Sequence, residues 1–157
     1  MIVLKFKKEI KGDCTVSNHV DSIVLESYAF NVSKHVQVQG KERPSSPAFM
    51  SEIMFTKGAD VSSPNLFSAA IQGSSLEQAE LVVLHTDGAN KNKPLMTIVL
   101  SEPIISSFST QATSGSKAAE HFSLNFTAID YKYHVFDGAK AGTTVEKKYD
   151  LTTKEAK

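Results

Sequence analysis

Apolar residues along this chain recur at every second position, and the phase of that alternation slips twice inside otherwise continuous runs. Ile23 and Leu25 hold one phase, while Tyr28, Phe30 and Val32 hold the other. Phe122, Leu124 and Phe126 are followed by Ile129, Tyr131 and Tyr133 in the same manner. Period two is the signature of strands with one buried face. A slip of one residue turns every later side chain to the opposite face, which is what a β-bulge does. The first slip is placed near Glu26-Ser27, inside a strand over 22–32. Two long strands with such breaks suit a sheet that bends into a barrel. Turn formers interrupt the pattern about every ten residues, the rhythm of sandwiches and barrels rather than of βαβ units.

Other elements follow from the same pattern. Ile2, Leu4 and Phe6 alternate with Val3, Lys5 and Lys7 in a first strand, and Gly12-Asp13 marks a turn. Residues 33–47 are polar, contain Gly40, Arg43, Pro44 and Pro47, and read as a long extended loop, a type usually functional or mobile. A strand follows over 49–57, with Phe49, Ile53 and Phe55 on one face. Residues 63–73 predict a short helix: Ser63 as N-cap, Pro64 at the first helical position, Gly73 as terminator. Leu66, Phe67, Ala70 and Ile71 form its apolar stripe. Strands over 77–86 and 95–101 are joined by a turn-rich segment, 87–94, as a hairpin. A strand over 104–110, a Ser/Gly-rich loop over 111–119, a short strand over 145–151 and a polar tail over 152–157 complete the chain. The expected fold is all-β: one domain, 1–157, a small β-barrel built from two antiparallel sheets with one flanking helix.

Composition excludes several functions. Lys plus Arg and Asp plus Glu both number 17, so the net charge is zero. Nucleic-acid binding and membrane-surface binding by charge both need an excess of cations. Cys14 is the only cysteine. It forms no internal disulfide, a multi-cysteine zinc site is excluded, and a small, partly buried apolar role fits it. The five histidines lack metal-ligand spacing, and adjacent Glu120 and His121 point to opposite faces of a strand. No Gly-x-Ser-x-Gly elbow or phosphate-binding glycine loop is present. The expectation is a protein that is not an enzyme and needs no cofactor. The N-terminal apolar run is too short for a signal peptide, and no stretch reaches membrane-span length.

The order of elements resembles the haemolysin-coregulated protein (Hcp) family, the tube subunits of type VI secretion. Lys5-Phe6-Lys7 with Ile10-Lys11-Gly12-Asp13 is similar to the family's opening strand and turn. The segment 22–30 is similar to its second strand, with Tyr28 and Phe30 where tryptophans are common. Phe55-Thr56-Lys57, Asp60, Ser63-Pro64-Asn65-Leu66, Ala69-Ala70 and Gly73 are the most specific stretch. Ala79-Glu80-Leu81, then 104–108, then Leu124-Asn125-Phe126 with Ile129 and Tyr131-Lys132-Tyr133, follow in order. The resemblance implies hexameric rings that stack into a tube, a lumen for effector cargo, and spike and sheath proteins as partners. With the short N-terminal run, the zero net charge and the absence of a long apolar stretch, the expectation is a protein made in the cytoplasm and secreted without a cleaved signal, with no nucleic acid bound and no membrane insertion.

Physical roles can be assigned beside that resemblance. The strands over 77–86 and 95–101 are apolar on both faces, which suits side-by-side contact between copies or, equally, a core covered on both sides. Lys41, Glu42, Arg43 and Pro44 form a candidate ring-stacking loop, because Arg43 can pair bidentately with a carboxylate; a solvated loop without a fixed partner is the alternative. Ser27, Ala29 and Asn31 share one face opposite Tyr28 and Phe30 and form a candidate lumen face. The competing function is a monomeric β-barrel ligand carrier or adhesion module. A hydrolase with a triad assembled across loops is a third.

Overall fold

The computed structural model describes residues 1–8, 10–86, 92–137 and 140–157. In chain order, β1 (Ile2–Phe6), β2 (Ile23–Leu25), β3 (Ser27–Ala29), β4 (Val32–Ser33), β5 (Phe49–Met50) and β6 (Ile53–Gly58) lead to helix α1 (Ser63–Gln72). Then come β7 (Gln78–Thr86), β8 (Asn92–Ser101), β9 (Ile104–Gln111), β10 (Ala119–Asn125), β11 (Ala128–Asp137), β12 (Lys140–Asp150) and β13 (Glu155–Ala156). Among the described residues these strands form a seven-stranded sheet, β13-β12-β11-β8-β7-β1-β2, a four-stranded sheet, β3-β6-β10-β9, and a small pair, β4-β5. Among the described residues these strands pair antiparallel throughout.

Both phase slips mark the places where the chain changes sheets. β2 belongs to the seven-stranded sheet and β3 to the four-stranded one, with Glu26 between them donating its N–H to Thr56 O at 2.8 Å. β10 and β11 are likewise in different sheets, and Thr127 N–H bonds Ser101 O at 3.0 Å at that corner. The expected bulge at Glu26-Ser27 is therefore a sheet corner. A bulge keeps both halves of a strand in one ladder, whereas a corner turns the second half onto the facing sheet, and both reverse the sequence phase. A true irregularity in register lies instead between Ser123 and Leu124, where β10 meets β9.

The two sheets enclose one buried cluster. Leu4, Phe6, Ile23, Leu25, Leu81, Ile98, Leu100 and Ile129 come from the larger sheet, while Ile53, Phe55, Ile105, Phe122 and Leu124 come from the smaller. Register explains why the smaller sheet presents aromatics inward. Tyr28 pairs with Phe55, Phe55 with Phe122, and Phe122 with Phe108, one rung across four strands. The Phe55 and Phe122 rings stack with centroids 5.0 Å apart, an arrangement worth about 0.5–1.5 kcal/mol beyond the burial of area.

Strand β7 is apolar on both faces because both are covered within the chain. Ala79 and Leu81 face the main core, whereas Val82 and Leu84 pack with Val3, Cys14 and Val16 in a second cluster. The segment after β1 lies over that face, and Gly12 lets it approach: a Cβ there would sit 2.5 Å from Ile23 Cα. Cys14 is 3% exposed and free, in keeping with a small apolar role. Of the two readings of this doubly apolar strand, the internal one accounts for Val82 and Leu84.

Several boundaries differ from expectation. The N-cap of α1 is Ser62 rather than Ser63, and Pro64 takes the second helical position. This costs nothing, because none of the first N–H groups has a helical acceptor. Gly73 caps the other end in the left-handed region, its N–H bonded to Ala69 O. The apolar stripe is split: Leu66 and Ala69 are buried and Ala70 packs on the core, whereas Phe67 and Ile71 are 55% and 70% exposed. The helix rests on the core between the sheets by a narrower arc than its apolar content implies. The strand expected over 49–57 is two strands, with Phe49 67% exposed and Ile53 and Phe55 buried. The strand over 145–151 is part of the eleven-residue β12, and the tail returns as β13 along it. In the 87–94 turn, 87–91 lie outside the described residues and Asn92, Lys93 and Pro94 belong to β8.

Candidate assembly surfaces

Residues 31–47 are all exposed, yet they are not an irregular loop. β4 and β5 pair at the base, Val36 bridges Ser45 and Gln39 bridges Glu42. Gln37 N–H donates to Pro44 O at 3.0 Å, and Ser46 N–H to His35 O at 2.9 Å. The long loop is thus a projecting β-ribbon. Gly40, with φ +63°, opens its two-residue tip, where a side chain would be strained. The sequence concealed this pairing because Pro44, Pro47 and Gly40 read as breakers, while in a two-stranded ribbon Pro44 needs only to accept.

The ribbon places Lys41, Glu42, Arg43 and Pro44 at and beside its tip, all exposed. Lys34, Lys41 and Arg43 face one carboxylate, Glu42, so the ribbon is basic. Val32, Val36 and Val38 are 53%, 49% and 69% exposed along it. A lone two-stranded ribbon is marginal in water. One that is basic, ordered and dotted with exposed valines has the chemistry of a contact arm.

The outward face of the four-stranded sheet is of another kind. Its rungs read Ser27, Thr56, His121, Ser109 and Ala29, Met54, Ser123, Ser107. Ser27, Ala29 and Asn31 are exposed on this face, opposite half-buried Tyr28 and Phe30. Hydroxyls bond one another across it: Ser107 Oγ lies 2.6 Å and Ser106 Oγ 2.7 Å from Ser123 Oγ. Thr56 Oγ1 lies 3.1 Å from His121 Nδ1. The face is small and polar except for Met54, which is 62% exposed.

Beneath the N-terminus of α1 lies a buried ionic cluster. Lys57 and Glu120 are cross-strand partners, and Lys57 Nζ sits 2.7 Å from Glu120 Oε2 and 2.8 Å from Asp60 Oδ1. Ser63 Oγ donates to Glu120 Oε2 at 2.8 Å and accepts the Asp60 N–H at 3.0 Å. The Lys57–Asp60–Ser63 stretch quoted above therefore fastens helix to sheet. Its partner Glu120 was missed, although a signal existed: Lys57 and Glu120 both occupy the buried phase of adjacent strands.

On the outward face of the larger sheet, Asp130, Lys132, Glu146 and Lys148 form an alternating quartet with contacts of 2.8–3.4 Å. The Lys148 ammonium, hydrogen-bonded to it, holds the Glu146 carboxyl down at about 2. His134 lies between hydroxyls, Nε2 at 3.1 Å from Thr97 Oγ1 and Nδ1 at 3.2 Å from Thr144 Oγ1. Glu120 points into the core while His121 is exposed, so the two share no ligand. Among the described residues, no group of three or more His, Cys, Asp or Glu is placed to hold a metal ion. Among them too, no helix is long and apolar enough to cross a membrane.

Residues 3–133 match the family model described as type VI secretion system effector, Hcp. Over 98 residues the chain is 37% identical to Protein hcp1 of Pseudomonas aeruginosa, the aligned stretch covering 60% of this chain and 60% of that relative. The structure is similar to a solved structure described as a type six secretion system protein, with a TM-score of 0.89 at 23% identity, covering 99% of this chain and 98% of that one. It is similar to Hcp1 from Salmonella typhimurium with a TM-score of 0.80 at 22% identity, covering 99% and 97%. At those identities the solved structures speak for the fold, and the family model speaks for descent. The family match over 3–133, more than half of the chain, establishes that this chain belongs to the Hcp family of type VI secretion proteins.

Proposed function

We propose that this chain is a non-catalytic tube subunit of a type VI secretion apparatus, whose copies close into rings, whose rings stack, and whose lumen carries effector proteins. The observation that carries the reading is the four-stranded sheet, which ends among the described residues at two different edge strands, β3 and β9. Exposed edges invite pairing with another chain. Two unlike surfaces joined repeatedly make a heterologous contact that closes a ring when the rotation permits. Six copies is the number the family resemblance implies. In such a ring the polar outward face, with Ser27, Ala29 and Asn31, lines the lumen, and small residues leave room for cargo. The basic ribbon, with Lys41, Glu42, Arg43 and Pro44, supplies the contact between rings. Sheath and spike proteins are the outer and terminal partners, and the protein passes from the cytoplasm to the outside through the apparatus itself.

Absolute mass by light scattering after gel filtration, at low and high concentration, tests this. A mass about six times 17.1 kDa, with rings in electron micrographs, supports it. A monomer at both concentrations overturns it and favours a monomeric carrier or adhesion module.

A further inference from the structure

The outward sheet face and the ribbon base share a cleft of about 500 Å³, lined in part by Ala29, Asn31, Phe49, Glu52, Met54 and Ser123. Its chemistry is uneven. Phe49, at the ribbon base, and Met54, on the sheet face, are 67% and 62% exposed, large apolar groups beside small and polar residues. Among the described residues Glu52 is the only carboxylate lining the cleft. It is held in place: Ser106 Oγ donates to Oε2 at 2.7 Å and Asn125 Nδ2 to Oε1 at 3.4 Å. Ser106 Oγ is itself tied to Ser123 Oγ, part of the hydroxyl chain on that face. Among the described residues Glu52 has no cationic partner, although both its oxygens are oriented.

An aimed carboxylate beside an exposed ring and a thioether fits one kind of side chain: a long apolar stem ending in a planar cation. A guanidinium stacks on an aromatic face, is weakly hydrated and pairs with a carboxylate through two N–H groups. Its stem covers methionine while its head stays at the carboxylate. We infer that this cleft is a cargo-recognition site that takes an arginine side chain of a transported polypeptide, Glu52 binding the guanidinium and Phe49 and Met54 covering it. The inference rests on the lumen assignment above for its setting. Repetition around a ring turns one weak contact into a multivalent one.

The test uses the full chain and two fluorescent hexapeptides, Leu-Arg-Ser-Leu-Arg-Ser and the same sequence with citrulline in place of arginine. Citrulline keeps the shape and removes the charge. Anisotropy titrations are expected to show the arginine peptide binding about five-fold more tightly. Glu52→Gln removes that difference, and Phe49→Ala weakens both peptides, the arginine peptide more because it also loses a cation over the ring. Equal binding of the two peptides by the unaltered protein overturns the proposal without reliance on any variant. The rival occupant is Arg43 of another copy. If Glu52→Gln and Arg43→Ala both lower the assembled mass and neither changes peptide binding, the cleft is a contact between copies and the proposal falls. Mass measured on the same samples separates this outcome from failure of the ring itself, since a monomer that still prefers arginine rejects the ring and keeps the cleft.

Discussion

Lys57 Nζ lies 2.7 Å from Glu120 Oε2, with the two side chains 0% and 4% exposed. They face each other across adjacent strands in the buried phase, and Asp60 completes a cluster of one cation and two carboxylates. Leaving buried charges unpaired costs more than the pair itself contributes. Lys57→Met is therefore expected to destabilise the protein by about 3–5 kcal/mol, read as a lower urea midpoint by circular dichroism. Adding Glu120→Gln restores part of that loss. An unchanged midpoint in the single variant contradicts a closed, dry cluster.

Gly12 is required by proximity. A Cβ at this position meets Ile23 Cα at 2.5 Å, and backbone cannot swing aside as a side chain can. Gly12→Ala is expected to cost about 1–3 kcal/mol and to lift the segment that carries Cys14. Labelling of the Cys14 thiol, 3% exposed in the native fold, accelerates in the variant. A labelling rate equal to that of the unaltered protein means the segment has not moved.

The ribbon exposes every residue from 31 to 47 and holds them in register. Deleting residues 38–46 is expected to leave rings intact and abolish their stacking, as judged by electron microscopy and scattering mass. Full-length tubes from the shortened chain show that the ribbon is not the stacking element.

Ala29 sits exposed on the outward face, paired with Met54. Ala29→Arg adds bulk and charge there without entering the core, so the ring mass is expected to stay constant while the amount of co-purifying effector changes. An unaltered effector yield removes this face from the lumen.

Glu146 has a carboxyl held at about 2, chiefly by Lys148. A folded value below the unfolded one means stability is present above the ordinary glutamate range, about 4.3, and is lost as pH falls toward the folded value. The β11–β12 pair is expected to loosen between those limits, seen as faster amide exchange on its strands. Glu146→Gln reduces the pH dependence in that window, leaving the share of Asp130 and Asp150 on the same strands. Identical profiles for the two proteins show that the quartet does not couple to pairing.

The sequence by itself determined the strand content, the single helix, the terminating role of Gly73 and the family. These rest on local pattern: period-two alternation, turn residues, and an ordered series of short motifs. It also located both phase slips, at 26–27 and near 127. What the slips meant was a tertiary matter, because a bulge and a sheet corner leave the same trace in one dimension and differ only in which strand supplies the next hydrogen bonds. The ribbon escaped for a related reason, since its two strands carry prolines and no buried face, and pairing without burial leaves no hydrophobic period. Only the folded chain placed Cys14 over Val82, set Glu120 against Lys57, and tied Glu52 to Ser106 and Asn125. Each joins residues tens of positions apart, and proximity of that kind is fixed by sheet register, not by neighbouring sequence.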